Sequence, residues 1–158
     1  MADNEFQKGL DAYENKDYET AYKVWLPLAE QGHADAQYKV GWVYEVGNGV
    51  IENDKEAAKW FKLAAEQGHV KAYETVKVMY EYGWGVSQDD QEVAKLVRTL
   101  AEQGDADAQY ELGWFYVEGK GVSQNDQEAA KWFRLAAEQG HAEAQYKLGK
   151  IYETGKRA

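Results

Sequence analysis

A tetrapeptide recurs at a fixed spacing along this chain. Ala-Glu-Gln-Gly begins at Ala29, Ala65, Ala101 and Ala137, each 36 residues after the last. The blocks 36–71 and 108–143 share 24 of 36 positions, and the block between them keeps the same spacing without an insertion. A period of this length predicts an array of stacked supersecondary units, because one such unit cannot bury its apolar face alone.

Each repeat contains two apolar segments with helical spacing. In the first, Val40 and Tyr44 lie four residues apart, and in the second Ala57 and Phe61 do the same. Side chains at this spacing share one face of an α-helix, and both patterns return in later copies. The sequence therefore predicts an all-α chain in which each repeat is a helix A followed by a helix B.

A Gly-x-Gly-Val loop separates the two predicted helices at residues 47–50, 83–86 and 119–122. Glycine after a helix predicts a left-handed turn that ends it. An Asp follows each loop, so we expect Asp54, Asp90 and Asp126 to cap the helices B, and Asp105 to cap a helix A.

Small and aromatic residues alternate in this register and predict the core. Gly41 and the alanines of helix B allow two helix backbones to approach closely. The aromatic residues that fill the space between layers are expected to be Tyr44, Tyr80, Tyr116, Tyr152, Trp60 and Trp132.

The complete pattern resembles the Sel-one-like repeat (SLR) family, relatives of the tetratricopeptide repeats with longer loops. Residues 34–154 carry A-x-x-x-L-G-x-x-Y-x-x-G-x-G-V-x-x-D-x-x-x-A-x-x-W-x-x-x-A-A-E-Q-G in two nearly complete copies. The resemblance implies a right-handed superhelical α-solenoid of antiparallel helix pairs. It also implies that the A helices line a concave groove used for assembling protein complexes.

The resemblance predicts one solenoid domain over residues 1–158, with about nine helices. Lys77 departs from the pattern, because it occupies the close-contact position held by Gly41 and Gly113. The first hairpin looks like an ordinary tetratricopeptide unit that lacks the glycine loop. The expected parts are a capping hairpin at 4–32, repeats at 34–68, 70–104 and 106–140, and a capping helix at 142–154.

Charge and composition narrow the class of partner. The net charge is −10, from 28 acidic and 18 basic residues, and it repels phosphate backbones and anionic lipid headgroups. We therefore expect a protein or peptide partner, no nucleic acid and no membrane insertion. The amino terminus lacks a secretory signal, which favours the cytoplasm, while a trimmed leader leaves the periplasm or secretion open.

Three features suggest chemistry but have structural interpretations. The Gly-x-Gly loops lack the strand context and Lys-Ser/Thr of phosphate loops. His33, His69 and His141 occur once per repeat, a spacing that favours capping over a shared metal ion. Ser87 and Ser123 are the only serines and repeat one loop position. We expect no catalytic residue, cofactor or metal, with a β-lactamase-like hydrolase kept as an alternative.

One face of helix A carries the candidate binding residues. By the resemblance to tetratricopeptide repeats they face the groove, although packing between neighbouring A helices is an equally weighted alternative. Aromatic anchors among carboxylates favour a partner that bears Lys or Arg. The third hypothesis is a purely structural module. In that case the chain is a weak homodimer that pairs through its last helix, whereas otherwise it is a monomer. The candidates are Tyr38, Trp42, Glu45, Glu74, Glu81, Tyr110, Trp114, Glu118 and Tyr146.

Overall fold

The computed structural model describes residues 2–157, with side chains as far as Glu153. These residues form nine α-helices and no strand, which confirms the predicted all-α repeat fold. The helices are α1 Ala2–Glu14, α2 Tyr18–Glu30, α3 Ala34–Val46, α4 Asp54–Glu66, α5 Val70–Tyr82, α6 Asp90–Glu102, α7 Ala106–Glu118, α8 Asp126–Glu138 and α9 Ala142–Arg157.

The chain divides into two compact units, and each is described by itself. Unit 1 is Met1–Gln88 and contains α1 to α5, and unit 2 is Asp89–Ala158 and contains α6 to α9. Inside each unit, consecutive helices pack against one another. The odd-numbered helices are the predicted helices A and the even-numbered ones the predicted helices B. The expectation of a single domain stays a prediction.

The glycine loops end the A helices as predicted. Gly47, Gly83 and Gly119 follow α3, α5 and α7 with φ of 76°, 72° and 70°. This left-handed conformation favours glycine. The second loop glycine is also left-handed, with φ of 74° at Gly85, and it has no room for a side chain, since a Cβ there would lie 2.5 Å from the carbonyl oxygen of Asp54. The loop therefore packs directly on the first turn of α4.

The caps of the even-numbered helices lie one residue earlier than expected. Asn53, Asp89 and Asn125 have extended backbones and accept hydrogen bonds from the first-turn amides through their side chains. The prediction that Asp54, Asp90 and Asp126 are the caps is wrong. These residues are the first of their helices, where a carboxylate still interacts favourably with the helix dipole.

The close helix packing follows the predicted small residues. A Cβ at Gly41 would lie 2.8 Å from the Phe61 ring, and one at Gly113 would lie 2.5 Å from Phe133. These glycines therefore bring each A helix against the next B helix. Trp60 and Trp132 are buried as expected.

The tyrosines of the predicted core are not all buried. Tyr80 is buried, whereas Tyr44 and Tyr116 are half-buried. Tyr152 is 48% exposed, so its assignment to the core is wrong. A Cβ at Gly149 would meet nothing within 4 Å, which shows that in the described part of the chain no helix covers this face of α9.

The two ends of the array differ from the middle repeats. The connection from α1 to α2 has only three residues, 15–17, which agrees with the predicted absence of the glycine loop. Gly9 nevertheless packs against the Trp25 ring, as Gly41 packs against Phe61. At the other end, α9 continues to Arg157, three residues beyond the predicted boundary at 154.

Candidate functional site

A groove of about 490 Å³ opens on the odd-numbered helices of unit 1. Its lining comes from all three of these helices, so α1, α3 and α5 share one surface, as expected of helices A. Side chains of both charges and several apolar groups meet there. The lining residues are Phe6, Leu10, Asp35, Tyr38, Lys39, His69, Val70 and Lys71.

His69 connects two repeats at the edge of this groove. Its Nδ1 accepts a hydrogen bond of 3.2 Å from the Ala72 amide and so caps α5. The proton therefore lies on Nε2, which is 2.9 Å from Oδ1 of Asp35. The ring also stacks on Tyr38, with centroids 4.8 Å apart. The predicted capping role is confirmed, and the contact between repeats is an addition to it.

The same arrangement occurs in unit 2. His141 caps α9 through a 3.1 Å bond from the Ala144 amide, and its Nε2 lies 3.1 Å from Oδ1 of Asp107. Tyr110 stacks on His141 with centroids 4.6 Å apart. Asp105 caps α7, as the sequence predicts. The contacts of His141 with Asp107 and Tyr110 fix the position of α9 relative to α7.

The glutamines of two Ala-Glu-Gln-Gly motifs, Gln67 and Gln139, make side-chain contacts that the sequence interpretation missed. Gln67 Nε2 donates to the Gly32 carbonyl at 2.8 Å and to Gln37 Oε1 at 2.9 Å. Gln37 in turn donates to the Ala29 carbonyl and is only 4% exposed. The recurrence of Gln at both positions was the available signal. The bonds satisfy buried polar groups between repeats.

Tyr38 and Trp42 combine packing with partial exposure. Tyr38 is half-buried against Phe61, with centroids 5.6 Å apart, and Trp42 lies 4.8 Å from the ring of Tyr13 on α1. Burial raises the pKa of the Tyr38 phenol, and the carboxylates of Glu45 and Glu74 raise it further. Tyr38 thus lines the groove, whereas Trp42 packs against a neighbouring odd-numbered helix.

Lys39 is a groove residue that the sequence interpretation missed. Its Nζ lies 5.9 Å from the centre of the Tyr38 ring and 5.4 Å from that of Trp42. Burial lowers the pKa of Lys39, the ammonium of Lys71 lowers it further, and Asp35 acts in the opposite direction. The single carboxylate of Asp35 thus does not balance the positive charges of Lys39 and Lys71.

The aromatic residues of unit 2 pack against one another and beside a lysine. Trp114 lies 6.4 Å from Tyr110 and 6.0 Å from Phe133, and the Nζ of Lys147 is 4.3 Å from its ring centre. Tyr146 is 68% exposed and has Lys150 Nζ at 5.5 Å from its ring. The Trp114 ring is therefore already used as a cation-binding surface.

The candidate glutamates all lie at the surface. Glu45, Glu74 and Glu81 are exposed in unit 1, and Glu118 is exposed in unit 2. Neighbouring groups still shield the Glu45 carboxyl partly from water, which raises its pKa, and the nearby Asp54 carboxylate adds to this. Of the sequence candidates, Tyr38 is the one that lines the groove. A binding role for the nine candidates stays a prediction.

The remaining candidate features occupy connecting segments. Ser87 and Ser123 are exposed in the loops that precede α6 and α8. Within residues 2–157, none of the helices has the length and apolar character needed to cross a membrane.

The repeat pattern and its packing can now be compared with known families. A profile described as the Sel1 repeat matches residues 34–69, 78–105, 106–141 and 142–157. The chain belongs to the Sel1 repeat family. Proteins built from Sel1 repeats are generally non-enzymatic scaffolds for protein interactions. The second match begins just after Lys77, and the first begins after the α1–α2 hairpin, the two places where the repeat pattern is irregular.

Solved structures of Sel1 repeat proteins have the same fold. A Sel1 repeat protein from Oxalobacter formigenes is 37% identical with a TM-score of 0.70, over 94% of this chain and 61% of that one. A protective antigen of uropathogenic Escherichia coli with an SLR fold is 34% identical with a TM-score of 0.72, over 98% of this chain and 34% of that one. The chain thus spans less than two thirds of either protein.

A more distant structure supports the fold alone. Helicobacter pylori cysteine-rich protein B is 22% identical with a TM-score of 0.54, over 90% of this chain and 96% of that one. No curated protein matches the chain significantly.

Proposed function

We propose that this Sel1 repeat chain is an interaction scaffold that binds a peptide or protein segment on its odd-numbered helices. The observation that supports this most strongly is the groove of unit 1, where α1, α3 and α5 together present apolar and charged side chains. A concave surface lined by apolar and aromatic side chains with a few polar groups is typical of binding sites.

The contacts between repeats favour such a role because they fix the binding surface in advance. The bonds of His69 to Asp35 and of Gln67 to Gln37 connect successive helices of unit 1. Binding to a preorganised surface avoids the entropy cost of ordering it. The entropy cost of binding therefore comes mainly from ordering the incoming segment.

In unit 2 we propose a preference for Lys or Arg. The Lys147 ammonium lies 4.3 Å from the centre of the Trp114 ring. A Lys or Arg side chain of the partner can take the place of Lys147, since either cation is attracted to the face of a tryptophan ring. The carboxylates of Glu111 and Glu143 on the same two helices favour an incoming cation.

Selection from a library of random peptides displayed on phage tests the function. We expect selected peptides to bind about tenfold more weakly when Trp114 is changed to Ala, because aromatic anchors dominate such interfaces. Tyr146→Ala is a second test in which folding is not at risk, since this side chain is 68% exposed.

Two exposed glutamates on the even-numbered helices provide the matched control. Glu66→Gln and Glu138→Gln should leave peptide affinity unchanged. The proposal fails if no peptide is selected, or if the two aromatic variants remain folded and bind as tightly as the unchanged chain.

Self-association through α9 is a second candidate function. Tyr146 and Tyr152 are exposed, and the space around Gly149 is open. Pairing with the α9 of another copy would cover this surface. Light scattering at increasing concentration tests it, and a constant monomer mass would exclude it.

A further inference from the structure

The groove of unit 1 combines two ammonium groups with an apolar surface. Lys39 on α3 and Lys71 on α5 line it together with Phe6, Leu10 and Val70. Val70 is 45% exposed, so its side chain is accessible to a ligand.

The negative charge within this groove does not balance the two lysines. Asp35 is the one carboxylate in the lining, and its Oδ1 is already engaged by Nε2 of His69 at 2.9 Å. The Lys39 ammonium is instead held over the rings of Tyr38 and Trp42. Two other carboxylates, Glu45 and Glu74, act on the Tyr38 phenol without lining the groove.

Unit 2 has the opposite charge at the matching repeat positions. Residues 39 and 71 correspond to 111 and 143, which lie two 36-residue repeats further along the chain. Both lysines are replaced there by glutamates, Glu111 and Glu143. Of the other lining residues in this block, Tyr38 and His69 recur as Tyr110 and His141, whereas Val70 is replaced by Ala142.

We propose that the groove lined by Lys39 and Lys71 binds an acidic peptide segment, with an Asp or Glu between the two ammonium groups and a neighbouring apolar side chain against Phe6, Leu10 and Val70. This inference rests on the proposed scaffold function and specifies the partner that unit 1 takes. It differs from the Lys or Arg preference proposed for unit 2.

The local chemistry explains why an acidic residue fits. Burial and repulsion by Lys71 disfavour the charged form of Lys39, and an incoming carboxylate relieves that repulsion. The apolar surface excludes water from the new ion pairs, which strengthens them. An apolar neighbour in the peptide adds affinity by covering the exposed Val70 side chain.

Three synthetic peptides that differ only in charge test the inference. They are the blocked sequences Gly-Leu-Glu-Leu-Glu-Gly, Gly-Leu-Gln-Leu-Gln-Gly and Gly-Leu-Lys-Leu-Lys-Gly, titrated into the intact ¹⁵N-labelled chain to millimolar concentrations. We expect the glutamate peptide to shift the amide signals of Phe6, Leu10 and Val70, with an affinity about fivefold above that of the glutamine peptide.

A double charge reversal provides the specific variant. Lys39→Glu with Lys71→Glu reproduces the unit 2 pattern and should abolish the preference for the glutamate peptide and favour the lysine peptide. Lys55→Glu with Lys59→Glu changes the net charge equally on α4 and should retain the original preference.

The inference is overturned if the glutamate peptide causes no shifts at the groove, binds no better than the glutamine peptide, or keeps its preference after the reversal at Lys39 and Lys71. Failure here is distinguishable from failure of the scaffold function. Display selection makes no assumption about charge, so peptides that bind the odd-numbered helices without an acidic preference would refute this inference alone.

Discussion

The Nε2 atom of His69 lies 2.9 Å from Oδ1 of Asp35, a residue on the odd-numbered helix of the preceding repeat. The other ring nitrogen accepts the Ala72 amide proton and caps α5. One neutral imidazole thus both begins a helix and connects it to its neighbour.

Removing this side chain should destabilise unit 1 through both contacts. We expect His69→Ala to lower the free energy of unfolding by about 1–2 kcal/mol, as loss of an N-cap does, measured by urea unfolding. His69→Asn keeps a capping oxygen and should cost less. Equal costs for the two variants would show that the cap contributes little.

Glycine at the close-contact position should be sensitive to substitution only where a helix packs on it. Gly113→Ala places a Cβ 2.5 Å from the Phe133 ring and should destabilise the chain by about 1–3 kcal/mol. Gly149→Ala, at the same repeat position of α9, meets no atom within 4 Å and should stabilise it by up to about 1 kcal/mol. Thermal unfolding of both variants checks this, and a loss of stability in both would contradict it.

The position of the helix caps can be tested by paired alanine variants. Asn125→Ala removes the oxygen that accepts the Glu128 amide proton and should cost about 1 kcal/mol. Asp126→Ala removes only an interaction with the helix dipole and should cost less, about 0.3–1 kcal/mol. The reverse order in urea unfolding would restore Asp126 as the cap.

The stability contributed by Glu45 should depend on pH. Burial and the Asp54 carboxylate raise the pKa of Glu45 above its value in the unfolded chain, so the folded state binds this proton more tightly. The resulting stabilisation is present below the unfolded pKa and is lost as the pH rises through the folded pKa. At pH 7, Glu45→Gln should therefore be more stable than the unchanged chain.

The size of this effect is small because the Glu45 side chain is exposed. We expect a gain of about 0.3 kcal/mol at pH 7 that disappears below about pH 4, measured by urea unfolding at both pH values. Glu66→Gln controls for the removal of one surface charge. A difference that is independent of pH would contradict the assignment.

The repeat made the positions of the helices predictable. It did not predict the exact cap residues, or which side chains a neighbouring helix buries. Helix and loop positions followed from a 36-residue period combined with helical spacing. The caps were assigned one residue late because Asn53 and Asp54 both suit a cap, and only the backbone conformation decides between them. Tyr152 was misassigned because its repeat position predicts burial only when another helix follows.

The groove was only partly predictable for a related reason. Asp3, Phe6 and Gly9 precede their counterparts Asp35, Tyr38 and Gly41 by 32 residues instead of 36. This shorter offset concealed the contribution of α1. Lys39 was missed because its place in the groove depends on how α3 lies between α1 and α5, which the spacing of residues along one helix does not reveal.

The indole signals of the six tryptophans test the central claim most directly. Trp42 and Trp114 lie on odd-numbered helices, whereas Trp25, Trp60 and Trp132 lie on even-numbered ones and Trp84 lies in a loop. Adding a peptide obtained by display selection to the ¹⁵N-labelled chain should shift the Trp42 or Trp114 indole signal and leave the others in place. Shifts confined to Trp25, Trp60, Trp84 and Trp132 would contradict binding on the odd-numbered helices.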